Sequence, residues 1–418
     1  MFQKGEKIAI WGTGFTAKKA YYLDCTEYKT VCFYDNNETK WGTELYGIPV
    51  KKYEKSDGLK IVIGSAYWKE IATQLIDEGL QLGKDFIPYH FLCNSIINYR
   101  ELFSFGPEKI LSLMQKLKER KKIAVIYGNC QTPILSRVLL LSHAFSKDYF
   151  FVEIPAVHEY ASRMKKQWDT LIKDNAFWQQ VDLFIYQNVS EDNRFCNGLA
   201  TDNILKKLGS SCKTVKIINI YFSGYFIQTT KNEHNFMKDV QQSGLCPFGD
   251  KYIDNMLIQG LGKKEILEKV TKADFIPSEE IRNLAQKSLM ELKEREKDVD
   301  VIISDYIIEN YDKRQLFYSF NHPINTVLIE YAKRILSFLG YPEPGVDEAA
   351  VYLKAGCLKG TDIPIYPSVL QALQIKEYEK SYFLNRYIEP EILVDFKTYC
   401  KKYIEYCFEK NCGNNTSL

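Results

Sequence analysis

The sequence predicts an α/β chain: a small N-terminal domain built on a parallel sheet, then a larger α/β domain whose C-terminal portion is mainly helical. Three observations carry this. Short apolar runs stop at glycine and give way to helical periodicity in KIAIWGTG with TAKKAYYLDC, and again in KKIAVIYGNCQ (121–131). Strands that alternate with helices in this way make βαβ units and hence parallel sheets. From about residue 250 the periodicity turns helical, and 418 residues at roughly 150 per domain argue for two domains or three.

The elements follow in order. KIAIW (7–11) reads as a strand that ends at Gly12-Thr13-Gly14, before the helical TAKKAYYLDC. TVCFYDNN (30–37) and KIVIGSA (60–66) repeat the strand pattern, the second leading into helical YWKEIATQLIDEGL, and this first domain occupies 1–95. PEKILSLMQKLKER (107–120) has Pro at a first helical position and Ile110, Leu111, Met114 and Leu117 at helical spacing, so 96–120 is read as a linker helix. The second domain, 121–410, adds the strands YFFVEIP (149–155), VDLFIYQNV (181–189) and TVKIINIYF (214–222). IRNLAQKSLMELKERE then puts Ile281, Leu284, Ala285, Leu289 and Leu292 on one stripe, and VDVIISDYI (299–307) reads as a short strand. PEILVDFKTYCKKYIEYCFEK (390–410) aligns Ile392, Phe396, Tyr399, Tyr403 and Cys407, with 411–418 as a frayed tail.

Composition excludes several classes. Hydrophobic residues at 45% and charged residues at 26% are those of a folded globular protein, neither disordered nor fibrous. Lys and Arg number 55 against 53 Asp and Glu, and a formal charge of +2 offers no footprint for nucleic acid. Eleven cysteines, an odd number without a C-x-x-C pair, fit reduced thiols in the cytoplasm and give no metal site. No window nears the roughly 18 apolar residues of a membrane span, and the apolar run after MFQKGE is too short for a signal peptide. Tyrosine and phenylalanine are abundant, 29 and 24, which suits a core and also a carbohydrate or adenine pocket. A homo-oligomer stays open.

The first chemical constellation is Gly12-Thr13-Gly14-Phe15-Thr16-Ala17, a G-x-G-x-x-A turn, with Asp35 about twenty residues on at the end of the next strand. Gly12 allows the tight turn, Gly14 lets a pyrophosphate approach the backbone, and Asp35 is placed to accept from ribose hydroxyls. A domain of this length is expected to lack the second mononucleotide half, which argues against hydride transfer from NAD. KIAIWGTG, FYDNN, the stretch from Trp41-Gly42 through GIPV (47–50) and KIVIGSA resemble the small Rossmann-like N-terminal domains of nucleotide-sugar acyltransferases. That resemblance implies a bound nucleotide or nucleotide sugar; a Rossmann-like domain that has lost its ligand is the alternative.

The second constellation is IAVIYGNCQTP (123–133), which places Cys130 at a strand-to-helix elbow with Pro133 in the helix's first turn. There the helix macrodipole favours thiolate, and backbone N–H groups of Gln131 and its successors are expected to face a developing oxyanion. The flanking Gly128, Asn129 and Gln131 are residues a core does not want. The alternative is a buried cysteine acting as a small hydrophobe. A base must come from His90, His143, His158, His234 or His322. His322, in FYSFNHPIN, ranks first and His158, in IPAVHEY, second, because both follow strands whose carboxyl ends converge in a doubly wound sheet. Asp305, in IISDYI, is placed either to orient an imidazole or to cap a helix.

Residues from about 122 to 375 resemble the WcbI-type capsular polysaccharide biosynthesis proteins, through Gly128-Asn129-Cys130-Gln131, DLFIYQNV, IINIYFSGYF (217–226) and FNHPIN. The resemblance implies binding of coenzyme A or acetyl-CoA around Gly128, Asn129 and Gln131, and acetyl transfer to a sugar of a surface polysaccharide. It also makes Cys130 the reactive cysteine. The fused N-terminal domain departs from that family. The expected function is therefore a Cys-His acyltransferase that takes an acyl-CoA donor and a sugar or glycan acceptor. Two alternatives stand beside it: a cysteine-dependent esterase acting on an acylated glycan, and a non-catalytic protein that binds CoA and a nucleotide sugar.

Overall fold

The computed structural model describes residues 5–21, 25, 28–81, 84–89, 97–98, 121–154, 156–158, 175–193, 196, 198–231, 246, 248–341, 346, 356–360, 362–385 and 392–414. Strand β1 (Lys7–Trp11) is buried at every residue after Lys7, so it sits in the middle of a sheet covered on both faces. On one side it pairs in parallel with β2 (Lys29–Tyr34), and β2 with β4 (Ile48–Lys51); β3 (Glu44–Leu45) adds an antiparallel edge. On the other side come β5 (Lys60–Ile63) and β6 (Phe86–Pro88), both parallel. Counted without β3, the strands lie in the order 3-2-1-4-5, which corrects the expectation of a single mononucleotide half: a shortened second half is present. Its one described helix is α2 (Trp68–Asp77), while α1 (Phe15–Lys19) follows the glycine turn.

The second sheet runs β11-β10-β8-β9-β7, parallel throughout: β7 (Ile97–Asn98), β8 (Lys122–Tyr127), β9 (Tyr149–Glu153), β10 (Leu183–Gln187) and β11 (Lys213–Ile217). β7 falls inside the segment expected as a linker, and the helix expected at 107–120 lies outside the described residues. Side chains alternate across this sheet as strand geometry demands. Ala124, Ile126, Leu183 and Ile185 join one buried cluster with the C-terminal helices. Ile123, Val125, Phe150 and Phe184 face the other way, into a cluster that also contains the core of the first sheet. α3 (Thr132–Leu139), α4 (His143–Asp148), α5 (Asn175–Gln179) and α6 (Thr201–Leu205) connect the strands.

A helical part follows, in which β12 (Thr229–Lys231) and β13 (Phe248–Asp250) pair antiparallel ahead of α7 (Lys251–Ile258), α8 (Lys263–Val270) and α9 (Ser278–Arg295). On α9 the expected stripe is buried at Ile281, Ala285, Leu289 and Leu292. The strand expected at 299–307 is absent: the carboxylate of Glu296 accepts from the amides of Ile303 and Ser304, and this starts α10 (Ser304–Asn310) instead of a sheet. Asp300 meets the open edge of β11, its amide donating to Lys216 O and its carboxylate accepting from Lys216 N. Next come the hairpin of β14 (Phe317–Ser319) and β15 (His322–Pro323), α11 (Asn325–Leu339) and α12 (Pro367–Leu373). β16 (Tyr382–Phe383) pairs with β17 (Leu393–Val394), and α13 (Phe396–Asn414) ends the described chain. Tyr399, Tyr403 and Cys407 of α13 are buried as expected, whereas Ile392 is exposed and precedes the helix. α13 carries on through 411–414 of the expected tail.

Candidate active site

At the carboxyl end of β8 the chain must turn sharply beside β10. Gly128 is required there, because a Cβ at this position would lie 2.2 Å from Oε1 of Gln187. That oxygen accepts from the Asn129 amide at 2.8 Å, and Nε2 of Gln187 donates to Ile218 O at 3.3 Å. The turn is closed from within: Asn129 Oδ1 accepts from the Gln131 amide at 3.0 Å, and Asn129 O from the Thr132 amide at 3.1 Å. These N–H groups, expected to face an oxyanion, are therefore committed to the turn itself, which corrects that expectation.

Gln131 also departs from its expected place at a cofactor. Its side chain is fully buried and fastens three segments together. Nε2 donates to Ile220 O at 2.7 Å and to Asn321 O at 2.8 Å, and Oε1 accepts from Ile220 N at 2.9 Å. This explains why TVKIINIYF leaves the sheet at Ile217: beyond it, backbone groups turn to side chains, Ile218 N to Tyr331 OH and Ile220 to Gln131. Gln187 escapes the sequence reading; its signal is an amide closing the apolar run DLFIY at a strand end.

These bonds bring Cys130, His322 and His158 to one edge of the sheet. His322 follows Asn321, whose carbonyl is held by Gln131, and His158 follows Val157, whose amide donates to Gly128 O at 2.9 Å. All three residues are half-buried. Burial pushes the His322 imidazole down to about 4, with the neighbouring charge of His158 adding to the effect. His322 is therefore neutral near pH 7, and its buried Nδ1 has no hydrogen-bond partner among the described residues.

Asp305 does not orient this imidazole. It lies in the first turn of α10, is largely exposed, and pairs with Arg334; burial alone would raise its carboxyl, but the Arg334 hydrogen bond and charge hold it below the usual range. Nor does it cap α10: the N-cap position is Ile303, no side-chain cap hydrogen bond is made there, and Asp305 is only an acidic residue of the first turn. His143 begins α4, and His90 and His234 lie outside the described residues. Among the described residues no three His, Cys, Asp or Glu side chains gather as a metal site, and no helix is long and apolar enough to cross a membrane.

The glycine turn of the first sheet is a separate place. Gly12 has φ of +120°, and a Cβ there would lie 2.6 Å from Gly64 O; one at Gly64 would lie 2.7 Å from Ala17 Cα. Both ends of the G-x-G-x-x-A turn thus pack on β5's carboxyl end, while Gly14 faces open space. Asp35 is engaged within the protein: its carboxylate accepts from Thr13 Oγ1, Lys40 Nζ and the Asn37 amide. Burial would raise this carboxyl, but those three donors outweigh it and hold it below the usual range.

The comparisons with known proteins agree with this architecture. No curated protein matches the sequence. One solved structure, of a WcbI polysaccharide biosynthesis enzyme described as the native protein without the disulfide bond between coenzyme A and one of its cysteines, is similar at a TM-score of 0.55 and 20% identity. The match covers 69% of this chain and 90% of that one, and at this identity it speaks to the fold. The family described as "Polysaccharide biosynthesis enzyme WcbI" matches residues 123–344, more than half of the chain, from β8 through α11. The chain belongs to the WcbI family of polysaccharide biosynthesis enzymes.

Proposed function

We propose that this enzyme transfers an acyl group from acyl-CoA to a sugar hydroxyl in surface polysaccharide assembly, through Cys130 and His322. The observation that carries the reading is a neutral imidazole, His322, whose buried Nδ1 has no hydrogen-bond partner among the described residues and whose neighbour Asn321 is hydrogen-bonded to Gln131, the residue after the half-buried Cys130. The WcbI neighbour, whose description names coenzyme A together with one of its cysteines, adds support to the choice of an acyl-CoA donor, and we assign the corresponding role in this chain to Cys130.

The chemistry balances as follows. Cys130 passes its proton to His322, and its sulfur attacks the acyl carbonyl; the CoA thiolate leaves and takes the proton back from the imidazole. His322 next removes the proton of the sugar hydroxyl, whose oxygen attacks the Cys130 thioester; the Cys130 thiolate leaves and takes that proton from the imidazole. One thioester replaces another in the first half, so that step is nearly isoenergetic. The Gly128 to Gln131 turn, locked by Gln131 and Gln187, holds the sulfur in place without having to move. The first domain is read as the holder of a nucleotide or nucleotide sugar, supported by the open space at Gly14.

The test is acetyl-CoA turnover, followed as free thiol, with and without sugar acceptors, together with intact mass. Continuous release that needs the sugar, and a 42-dalton adduct lost in Cys130→Ala, support transfer. Continuous release without any sugar, beyond the one equivalent freed when Cys130 is acylated, makes the enzyme an esterase, and binding without release makes it a binding protein.

A further inference from the structure

We propose that Arg295, Tyr221 and Phe320 form a ledge beside the Cys130 turn that binds a phosphate group attached to a flat ring, the nucleotide end of the acyl donor. This rests on the acyl-transfer reading above. α9 ends at Arg295, whose guanidinium carbon stands 5.6 Å from the centre of the Tyr221 ring. Nη1 donates to Asn219 O at 3.2 Å and to Asn219 Oδ1 at 2.9 Å, and Nη2 to Tyr221 O at 3.4 Å. Of the five N–H donors of a guanidinium, Nε–H and one on Nη2 have no protein partner among the described residues. Nor does Arg295 form an ion pair there: Glu296, next to it in the chain, has its carboxylate on the amides of Ile303 and Ser304, and Glu291 lies near without bridging. An exposed arginine fixed by three hydrogen bonds, with donors remaining, suits an anion that accepts from two N–H groups at once.

The rings beside it run toward the site. Tyr221 packs on Phe320 with centroids 5.3 Å apart, and Phe320 on Phe248 at 5.5 Å; all three are half-buried. Their position is set by Gln131. Asn219 and Tyr221 flank Ile220, and Phe320 precedes Asn321, and it is Ile220 and Asn321 that Gln131 holds next to Cys130. The ledge therefore lies at the carboxyl edge of the second sheet, where open α/β sheets take their ligands. Half-exposed rings there offer a flat apolar face to a base, and the guanidinium offers a charge to its phosphate.

The same chemistry belongs to the nucleotide of CoA and to that of a nucleoside-diphosphate sugar, and the assay separates them. Full-length wild type, Arg295→Gln, Arg295→Lys and Tyr221→Leu are compared with acetyl-CoA and with S-acetylpantetheine, a donor without the nucleotide. Arg295→Gln is expected to raise KM for acetyl-CoA by about 10- to 100-fold, the worth of a charge-assisted hydrogen bond, with kcat within about twofold. Its kcat/KM for S-acetylpantetheine should not change, and Arg295→Lys should recover part of the loss. Equal losses with both donors would show that Arg295 only braces the Asn219 to Tyr221 loop and would overturn the proposal. Calorimetry with ADP and with UDP-glucose supplies the other arm. Loss of ADP binding in Arg295→Gln supports the donor assignment; loss confined to UDP-glucose overturns it in favour of the activated sugar. Wild type that binds ADP through Arg295 yet never releases CoA from acetyl-CoA would sink the acyl-transfer reading and leave the ledge standing.

Discussion

Gln131→Leu separates a residue that reads a ligand from one that builds the frame. The substitution keeps roughly the volume of a fully buried side chain and removes three hydrogen bonds: two to the carbonyls of Ile220 and Asn321 and one from the Ile220 amide. Each leaves a buried backbone group unpaired at about 1–3 kcal/mol, so a loss of about 3–6 kcal/mol is expected after partial relaxation. That is a large share of the roughly 5–15 kcal/mol that holds a domain together, and corresponds to a fall in Tm on the order of 10 °C. Gln131→Glu is the control. Its carboxylate would face two carbonyl oxygens, so its folded pKa must rise above the unfolded value of about 4.3. The variant is then most stable below that value and loses stability as pH rises through its folded pKa. Urea unfolding by circular dichroism at pH 4.5 and 7.5, beside CoA titration, measures both. A Gln131→Leu protein within about 1 kcal/mol of wild type that has nonetheless lost CoA would refute the clamp and restore Gln131 to the ligand.

Four further outcomes follow from the same geometry. Gly128→Ala should cost about 2–4 kcal/mol by overpacking against Gln187 and breaking its bond to the Asn129 amide, and adding Gln187→Ala should recover part of that in a double-mutant cycle. His322→Gln should slow acetyl transfer by about 10²- to 10⁴-fold with the fold intact, and a large loss for His158→Gln with none for His322→Gln would reverse their roles. Because burial takes His322 from about 6.5 unfolded down to about 4, the unfolded chain binds the extra proton between those values. Stability from this group is thus lost as pH falls from 6.5 toward 4, by about 2 kcal/mol at pH 5, and the difference in urea midpoint between wild type and His322→Gln across pH 7.5 to 5 should show it. Gly14→Val, facing open space, should fold normally and lose nucleotide-sugar binding, whereas Gly12→Ala, at φ +120° and against Gly64 O, should destabilise the first domain; equal nucleotide-sugar affinity in Gly14→Val and wild type would remove the ligand from that turn.

Both sheets were legible because their central strands are buried on two faces and read as unbroken apolar runs, KIAIW and KIAVIY, each stopped by glycine. The same rule misreads VDVIISDYI, where the run is as apolar but the amides of Ile303 and Ser304 go to Glu296 and the chain becomes helix. Periodicity counts which side chains are buried and carries no information on where backbone groups find partners. Asp305 fails for a related reason: its partner, Arg334, comes from another helix and leaves no mark in the local sequence.

The site itself shows how far residue type can be taken. Polar residues beside Cys130 are unexpected in a core, and that observation directs attention to the elbow. Yet Gln131 is fully buried, Gln187 is 3% exposed, and each bonds backbone that would otherwise be unpaired. An amide side chain both donates and accepts, so it can join strand ends that leave the sheet at different heights, which no apolar residue can do. Polarity at a strand end therefore marks the place where loops converge without saying which polar residue meets the ligand. His322 is distinguished by the opposite property: its Nδ1 is buried at the same junction and no atom of the described residues answers it. An unanswered atom beside a rigid, well-bonded frame is where a reacting group is to be sought, and this is the ground for proposing Cys130 and His322 as the reacting pair, with Gln131 and Gln187 as the frame around them.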